Sequence, residues 1–184
     1  MKTPYLIGIA GGSCSGKTTL LNHLAKTLPG SPATISLDDY YNWGQMTTIA
    51  PITRAEYPEH NHPDAVDTTR LYADIEKLIS AGTASVIIIE GIFALHLDKL
   101  RDMLDLKIYV DLKSDERLYR RIGRMTDGKT MADTATRYLD TVRYRHDQFV
   151  EPSRWHADIV LNGTLDTHKG TEVVTSYVKS LCGL

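Results

Sequence analysis

Short apolar runs alternate along the chain with stretches in which apolar residues recur every three or four positions. The runs are Tyr5–Ala10, Ala33–Leu37, Val86–Ile89, Leu106–Val110 and Asp158–Leu161. They are partly β-branched and bounded by Gly, Asp or Asn, the pattern of parallel strands buried on both faces. Between them, Leu20, Leu21, Leu24 and Leu28 predict a helix that Pro29-Gly30 stops. Leu71, Ile75, Leu78 and Ile79 predict a second, entered through Asp67 and left at Gly82. Leu118, Ile122 and Met125 make a third stripe, Leu139, Val142 and Phe149 a fourth, and Val173, Val174, Tyr177, Val178 and Leu181 a C-terminal one. This alternation predicts an α/β fold, a five-stranded parallel sheet with helices on both faces.

Composition narrows the picture. A chain of 184 residues, 42% hydrophobic and 24% charged, has the length and apolar content of one domain, so 1–184 is read as a single unit. The formal net charge of −2 excludes the global positive field of a non-specific nucleic-acid binder, so any anion site is local. Cys14 and Cys182 stand far apart with no C-x-x-C spacing, which fits a reduced, cytoplasmic setting. The apolar run near the N-terminus is too short for a signal-peptide core or a membrane span, so neither a membrane nor a nucleic acid is expected as partner.

Gly11-Gly12-Ser13-Cys14-Ser15-Gly16-Lys17-Thr18 satisfies G-x-x-x-x-G-K-[ST] and stands after a predicted strand and before a predicted helix. Glycines let such a loop curl so that backbone N–H groups point at phosphate oxygens, and the following helix adds its positive end. In this reading Gly11 to Thr19 bind the phosphates of ATP, Lys17 meets the β- and γ-phosphates, and the Thr18 hydroxyl serves Mg²⁺. Cys14 reads as a backbone-spacing residue with an incidental thiol, a redox switch being the alternative.

Carboxylates are expected at the same sheet edge. Asp38 and Asp39 follow the second strand, and one of them can accept a proton from a substrate hydroxyl. Adjacent residues of an extended segment point to opposite sides, so the other is expected to cap a helix; position favours Asp38 as the base. Glu90 ends the most apolar strand, where a carboxylate serves Mg²⁺ or its waters. Arg117, Arg120, Arg121 and Arg124 share one helix face. Each like-charged pair costs about 0.2–0.5 kcal/mol, so an anion should compensate them, either Asp115 and Glu116 or a triphosphate. The polar stretch from Thr126 to Thr130 then reads as part of a lid over 124–132 that excludes water from phosphoryl transfer.

These residues together resemble the uridine kinase family of the P-loop kinases. The likeness rests on the glycine loop, Asp38-Asp39-Tyr40-Tyr41, His62-Pro63-Asp64-Ala65, Glu90-Gly91-Ile92-Phe93-Ala94, Arg117 to Arg124, and Phe149-Val150-Glu151-Pro152 followed by Ala157-Asp158-Ile159-Val160. The resemblance implies a P-loop NTPase fold, ATP and Mg²⁺, and a small-molecule acceptor such as the 5′-hydroxyl of a nucleoside. It implies Asp38 as catalytic base, with Lys17, and Arg121 and Arg124 in a phosphate-binding lid. Tyr41, Asn61, His62 and Asp64 are then the acceptor-binding positions.

Two departures stand out. Asn61 replaces the family's usual Asp, and only Thr83-Ala84-Ser85 separate Gly82 from Val86, where uridine kinases carry a base-reading hairpin. The shortened layout is similar to that of nicotinamide riboside kinases, and Tyr40, Tyr41, Trp43 and Tyr57 could stack a ring. His60 and His62 lack a third ligand nearby for a metal, and Trp155 and His156 read as structural. A nucleotide switch would be a different class; the N-K-x-D motif of a GTP-binding one is missing.

Overall fold

The strand order is β2-β5-β1-β6-β7, every neighbouring pair parallel. The strands are β1 (Tyr5–Ala10), β2 (Ala33–Ser36), β5 (Val86–Glu90), β6 (Leu106–Asp111) and β7 (Ile159–Asn162). A small antiparallel ribbon, β3 (Thr47–Ile49) with β4 (Glu56–Pro58), projects between β2 and β5 in sequence. The computed structural model describes residues 3–30, 32–42, 44, 46–124, 130–164 and 168–182.

Strand side chains alternate, and the core divides accordingly. Ile7, Ile9, Val86 and Ile88 pack with Leu20, Leu21 and Leu24 of α1 (Lys17–Thr27) and with Val174 and Val178 of α8 (His168–Cys182). Leu6, Ala10, Ile87 and Ile89 face Leu71 and Ile75 of α2 (Thr68–Ala81) and Leu100 of α3 (Asp98–Met103). Asp67 caps α2 by accepting from the Arg70 N–H, and Gly82 closes it in the left-handed conformation, as the sequence predicts. Ile87, Ile88 and Ile89 are wholly buried, each burial stabilising by roughly 1.5–3 kcal/mol.

Several stripes are narrower than expected. The segment beginning with α5 (Met131–Arg137) runs on through a π-helical turn at Tyr138–Val142, α6 (Arg143–Arg145), a second π turn at His146–Val150 and α7 (Glu151–Ser153). Each π turn takes up an extra residue and rotates the helix beyond it, so a 3.6 period misreads this segment. Tyr138 and Asp140 are buried, and Leu139, expected inside, is exposed. On α8, Val174 and Val178 are buried and Val173, Tyr177 and Leu181 are not. Trp155, read as structural, is 89% exposed. Met125 and Trp43 lie outside the described residues.

Register brings the functional edge together. Ile9 pairs with Glu90, Ser36 with Glu90, Ala10 with Tyr109 and Asp111 with Asn162, so the strands' C-terminal ends share one rim.

Candidate active site

Between β1 and α1 the chain turns through Gly11 at φ 137°, Cys14 at φ 66° and Gly16 at φ 114°. A Cβ on Gly11 would stand 2.3 Å from the Val110 carbonyl oxygen, so only glycine fits. Gly16 caps α1 without a side-chain acceptor, leaving that helix's first N–H groups facing the loop. Cys14 holds a left-handed conformation uncommon for a residue with a side chain, which supports its reading as a spacing residue. The Lys17 ammonium lies within the loop and donates to the Gly12 carbonyl at 3.2 Å. Burial lowers its pKa, and the carboxylates of Glu90 and Asp38 oppose that shift. An ammonium held this way, short of full solvation, gains from the arrival of phosphate.

Glu90 is buried and accepts from Ser36 Oγ at 3.0 Å and from Thr18 Oγ1 at 3.3 Å. Thr18 and Glu90 therefore present adjoining oxygens, a donor set suited to Mg²⁺ that retains several waters. Among the described residues no group of three or more His, Cys, Asp or Glu could hold a metal by itself.

Asp38 sits not on a strand end but in a 3-10 turn, Leu37–Tyr40. The cap expected of Asp39 comes instead from Ser36, whose hydroxyl accepts from the Asp38 N–H. Both aspartates are exposed, and only Asp38 acts on the Lys17 charge. The Asp39 backbone carbonyl accepts from the Arg70 guanidinium. Tyr41 is half-buried, and desolvation, with Asp38, Glu59 and Glu90 nearby, pushes its phenol well above the usual range. Tyr40 is buried and donates to Asp74, while Tyr57 donates to Asp140 at 2.7 Å, so both hydroxyls are engaged by carboxylates.

The loop opposite is built by long-range pairs. Glu59 is buried, takes Arg145 Nε at 2.8 Å and accepts from the Asn61 N–H at 2.7 Å. His62 accepts from the Asp64 N–H at 3.2 Å, and its ring meets the edge of Phe149 at 4.7 Å between centroids. Asp64 is exposed and lies 3.5 Å from His62 Nδ1. Arg137 donates to the Pro58 carbonyl at 3.1 Å and contacts His60. Asp140 accepts from Thr53 and Tyr57 and so pins the β3–β4 ribbon to the long helix. Glu59, Arg137, Asp140 and Arg145 escaped the sequence reading, since their partners stand about eighty residues away with no local spacing to announce them.

The arginine stripe divides three ways along α4 (Ser114–Gly123). Arg117 is buried against the loop: Nε donates to the Leu112 carbonyl at 3.0 Å, and a Cβ on Gly12 would come 2.5 Å from Nη1. Arg120 bonds the backbone, reaching the Cys14 and Ser15 carbonyls at 3.4 Å each and the Gly163 carbonyl at 2.7 Å. Arg121 donates to Ser13 Oγ at 3.2 Å, and burial lowers its pKa, with Arg137 adding a like charge. Arg124 is exposed at the end of α4. Of the lid expected over 124–132, residues 125–129 lie outside the described residues, and Thr130 opens α5 in a capping box with Asp133. A cavity of about 210 Å³ flanks the loop, lined in part by Gly16, Thr19, His23, Asn162 and Thr171.

A glycine loop leaving the central strand of this sheet, with a lysine inside it and a carboxylate on the neighbouring strand, defines a P-loop kinase. A family model described as the phosphoribulokinase/uridine kinase family matches residues 58–168. The uridine kinase of Staphylococcus epidermidis is 37% identical over 207 aligned positions, covering 98% of each chain. The chain belongs to the phosphoribulokinase/uridine kinase family. Two solved structures share the fold. One is a candidate fructose transport system kinase from Silicibacter sp. TM1040, with TM-score 0.67, 18% identity and coverage of 87% of this chain and 90% of that one. The other is a possible uridine kinase from Bacillus stearothermophilus, with TM-score 0.56, 19% identity and coverage of 87% and 89%. An alignment longer than the 184 residues of this chain means that the Staphylococcus relative carries residues missing here. The structure is equally short at the place the sequence singles out: α2 ends at Ala81 and β5 begins at Val86.

Among the described residues no helix is long and apolar enough to cross a membrane.

Proposed function

We propose that this chain is an ATP-dependent nucleoside kinase that moves the γ-phosphoryl group to the 5′-hydroxyl of a small nucleoside. The observation that carries the reading is the placement of Asp38 beside the buried Lys17 ammonium, at the rim that also holds Glu90. Asp38 accepts the hydroxyl proton as the new O–P bond forms and the bond to the β-phosphate oxygen breaks. Lys17 and the loop N–H groups stabilise charge on the phosphates, and Arg121 and Arg124 approach from α4. Thr18 and Glu90 are the residues that would hold Mg²⁺, which when bound neutralises phosphate charge. The cavity of about 210 Å³ beside Gly16 and Thr19 lies on the side of the loop where the donor's nucleoside end would extend. Tyr41, Asn61, His62 and Asp64 are the acceptor contacts, and the reaction belongs in the cytoplasm.

The short α2–β5 connection favours a second acceptor class, nicotinamide riboside or a similar small metabolite, with the same chemistry. Incubation with ATP, Mg²⁺ and separate nucleosides, following ADP, tests the proposal. ADP should form only with an acceptor, and a phosphorylated nucleoside should accumulate with it. ADP released equally without acceptor would make the chain an ATPase or switch and overturn the reading.

A further inference from the structure

Between the phosphate loop and the acceptor loop lies a narrow recess. Ser13, Asn61, Arg117 and His146 line it, with Ile92 and Val150 as apolar walls, and the room for a water-sized sphere's centre is about 10 Å³. That is close to the space one water needs and too little for a phosphate or a sugar.

Two buried polar atoms of the lining residues, Arg117 Nη1 and His146 Nδ1, have no hydrogen-bond partner among the described residues. The two residues are 3% and 8% exposed. Such groups are almost always paired in folded proteins, by protein or by ordered water. The two are complementary. Arg117 can only donate, and its Nε is already committed to the Leu112 carbonyl. His146 Nε2 faces the Glu151 carboxylate at 3.4 Å, and a proton there leaves Nδ1 as an acceptor. Glu151 in turn accepts from the Tyr109 hydroxyl at 3.2 Å, which fixes that end of the chain of bonds.

We propose that one buried water accepts from Arg117 Nη1 and donates to His146 Nδ1, and that this bridge holds the phosphate loop and the acceptor loop in register. Arg117 passes the constraint to the phosphate loop, because its guanidinium fills the space beside Gly12 where any side chain would stand. Asn61 lines the same recess and belongs to the acceptor loop. His146 and Arg117 are therefore positioning residues, and they touch no reacting atom. The functional half of the inference rests on the kinase reading; the water itself does not.

The unaltered chain, crystallised to high resolution and also soaked in bromide, tests the water. A peak within hydrogen-bond reach of both nitrogens, with no anomalous bromide signal, supports the bridge. No peak there, or a bromide in its place, overturns it, whatever the enzyme proves to phosphorylate. Kinetics of His146→Asn and His146→Leu test the positioning. An Asn side chain offers an oxygen near the place of Nδ1, and Leu offers none. Loss of register should lower kcat of His146→Leu by about tenfold or more, with KM for ATP nearly unchanged, while His146→Asn keeps most of kcat. Equal kcat in the two variants, or a fall in ATP affinity alone, would remove the positioning role.

Discussion

Gly163, at the end of β7, offers a test of how the phosphate loop is supported. Its N–H donates to the Asp111 carbonyl at 2.6 Å and its carbonyl accepts from Arg120 at 2.7 Å. A Cβ built there stands 2.4 Å from the Ser15 carbonyl oxygen, 3.0 Å from that of Asp111 and 3.2 Å from Val110 Cγ1. The two nearest obstacles are backbone atoms, so no side chain can swing clear. Restoring ordinary contact requires a displacement of about 1 Å. Overpacking of this kind costs about 1–3 kcal/mol, which for a domain of this length lowers Tm by roughly 2–12 °C. The strain falls on the loop itself, and a misplacement of about 1 Å near the reacting groups can cost on the order of 10²-fold in rate. Gly163→Ala is therefore expected to melt early and to lose kcat/KM for ATP in an ADP-release assay. Gly123→Ala is the control, since a Cβ there meets nothing within 4 Å among the described residues. If Gly163→Ala melted and turned over like the control, the packing of residues 162–164 on the phosphate loop would be wrong.

Lys17→Ala should fold and lose most phosphoryl transfer, since the loop has no other cation; near-normal turnover by a folded variant would refute its role. Asp38→Asn should retain ATP binding, measured by calorimetry, and lose about 10²–10⁴ in turnover, while Asp39→Asn loses far less. The reverse order would exchange their roles. His146 is held down to about 4 by burial first, then by Arg117 and Lys17, against Asp147 and Asp111, with Glu151 facing its Nε2. Between that value and the ordinary 6.5 the unfolded chain binds a proton that the folded chain does not, so stability rises with pH through this window. About 3 kcal/mol is lost on going from pH 7 to pH 4, and urea midpoints of His146→Asn should fall less over that range than those of the unaltered chain; parallel curves would contradict this. With no hairpin after α2, discrimination among bases should amount to about 1–3 kcal/mol, and 2′-deoxyuridine should be a poorer acceptor than uridine; a preference above about 10⁴ for one base would defeat the idea.

The sheet and the phosphate loop were legible because each is encoded locally. A strand buried on both faces needs an unbroken apolar run, and Val86-Ile87-Ile88-Ile89 is one. The loop needs glycine at set offsets, and Gly11 and Gly16 take positive φ where the motif places them. Glu90 was legible as well, as a carboxylate ending an apolar strand, although Ser36 as its partner was not. The long helix was misread for a physical reason. Two π turns break the 3.6 period between Tyr138 and Val150, and they bring Asp140 and His146 inside, where a charge or an imidazole in an ordinary helical stripe would have been assigned to solvent.

The arginine stripe separates local pattern from tertiary role most sharply. Spacing placed four guanidinium groups on one helix face and called for a compensating anion, either Asp115 and Glu116 or a triphosphate. Burial gives them separate roles. Arg120 spends three hydrogen bonds on the backbone of the phosphate loop and of Gly163, so its charge holds the protein's own carbonyls rather than a ligand. Arg117 packs against the loop, and a Cβ at position 12 would displace its guanidinium. Arg121, donating to Ser13, and Arg124, exposed at the helix end, make no bond to the loop's backbone among the described residues. A periodic cluster of like charge is therefore weak evidence that every member serves the ligand. The two proposed to meet phosphate stand on a helix whose other two arginines pack against the loop.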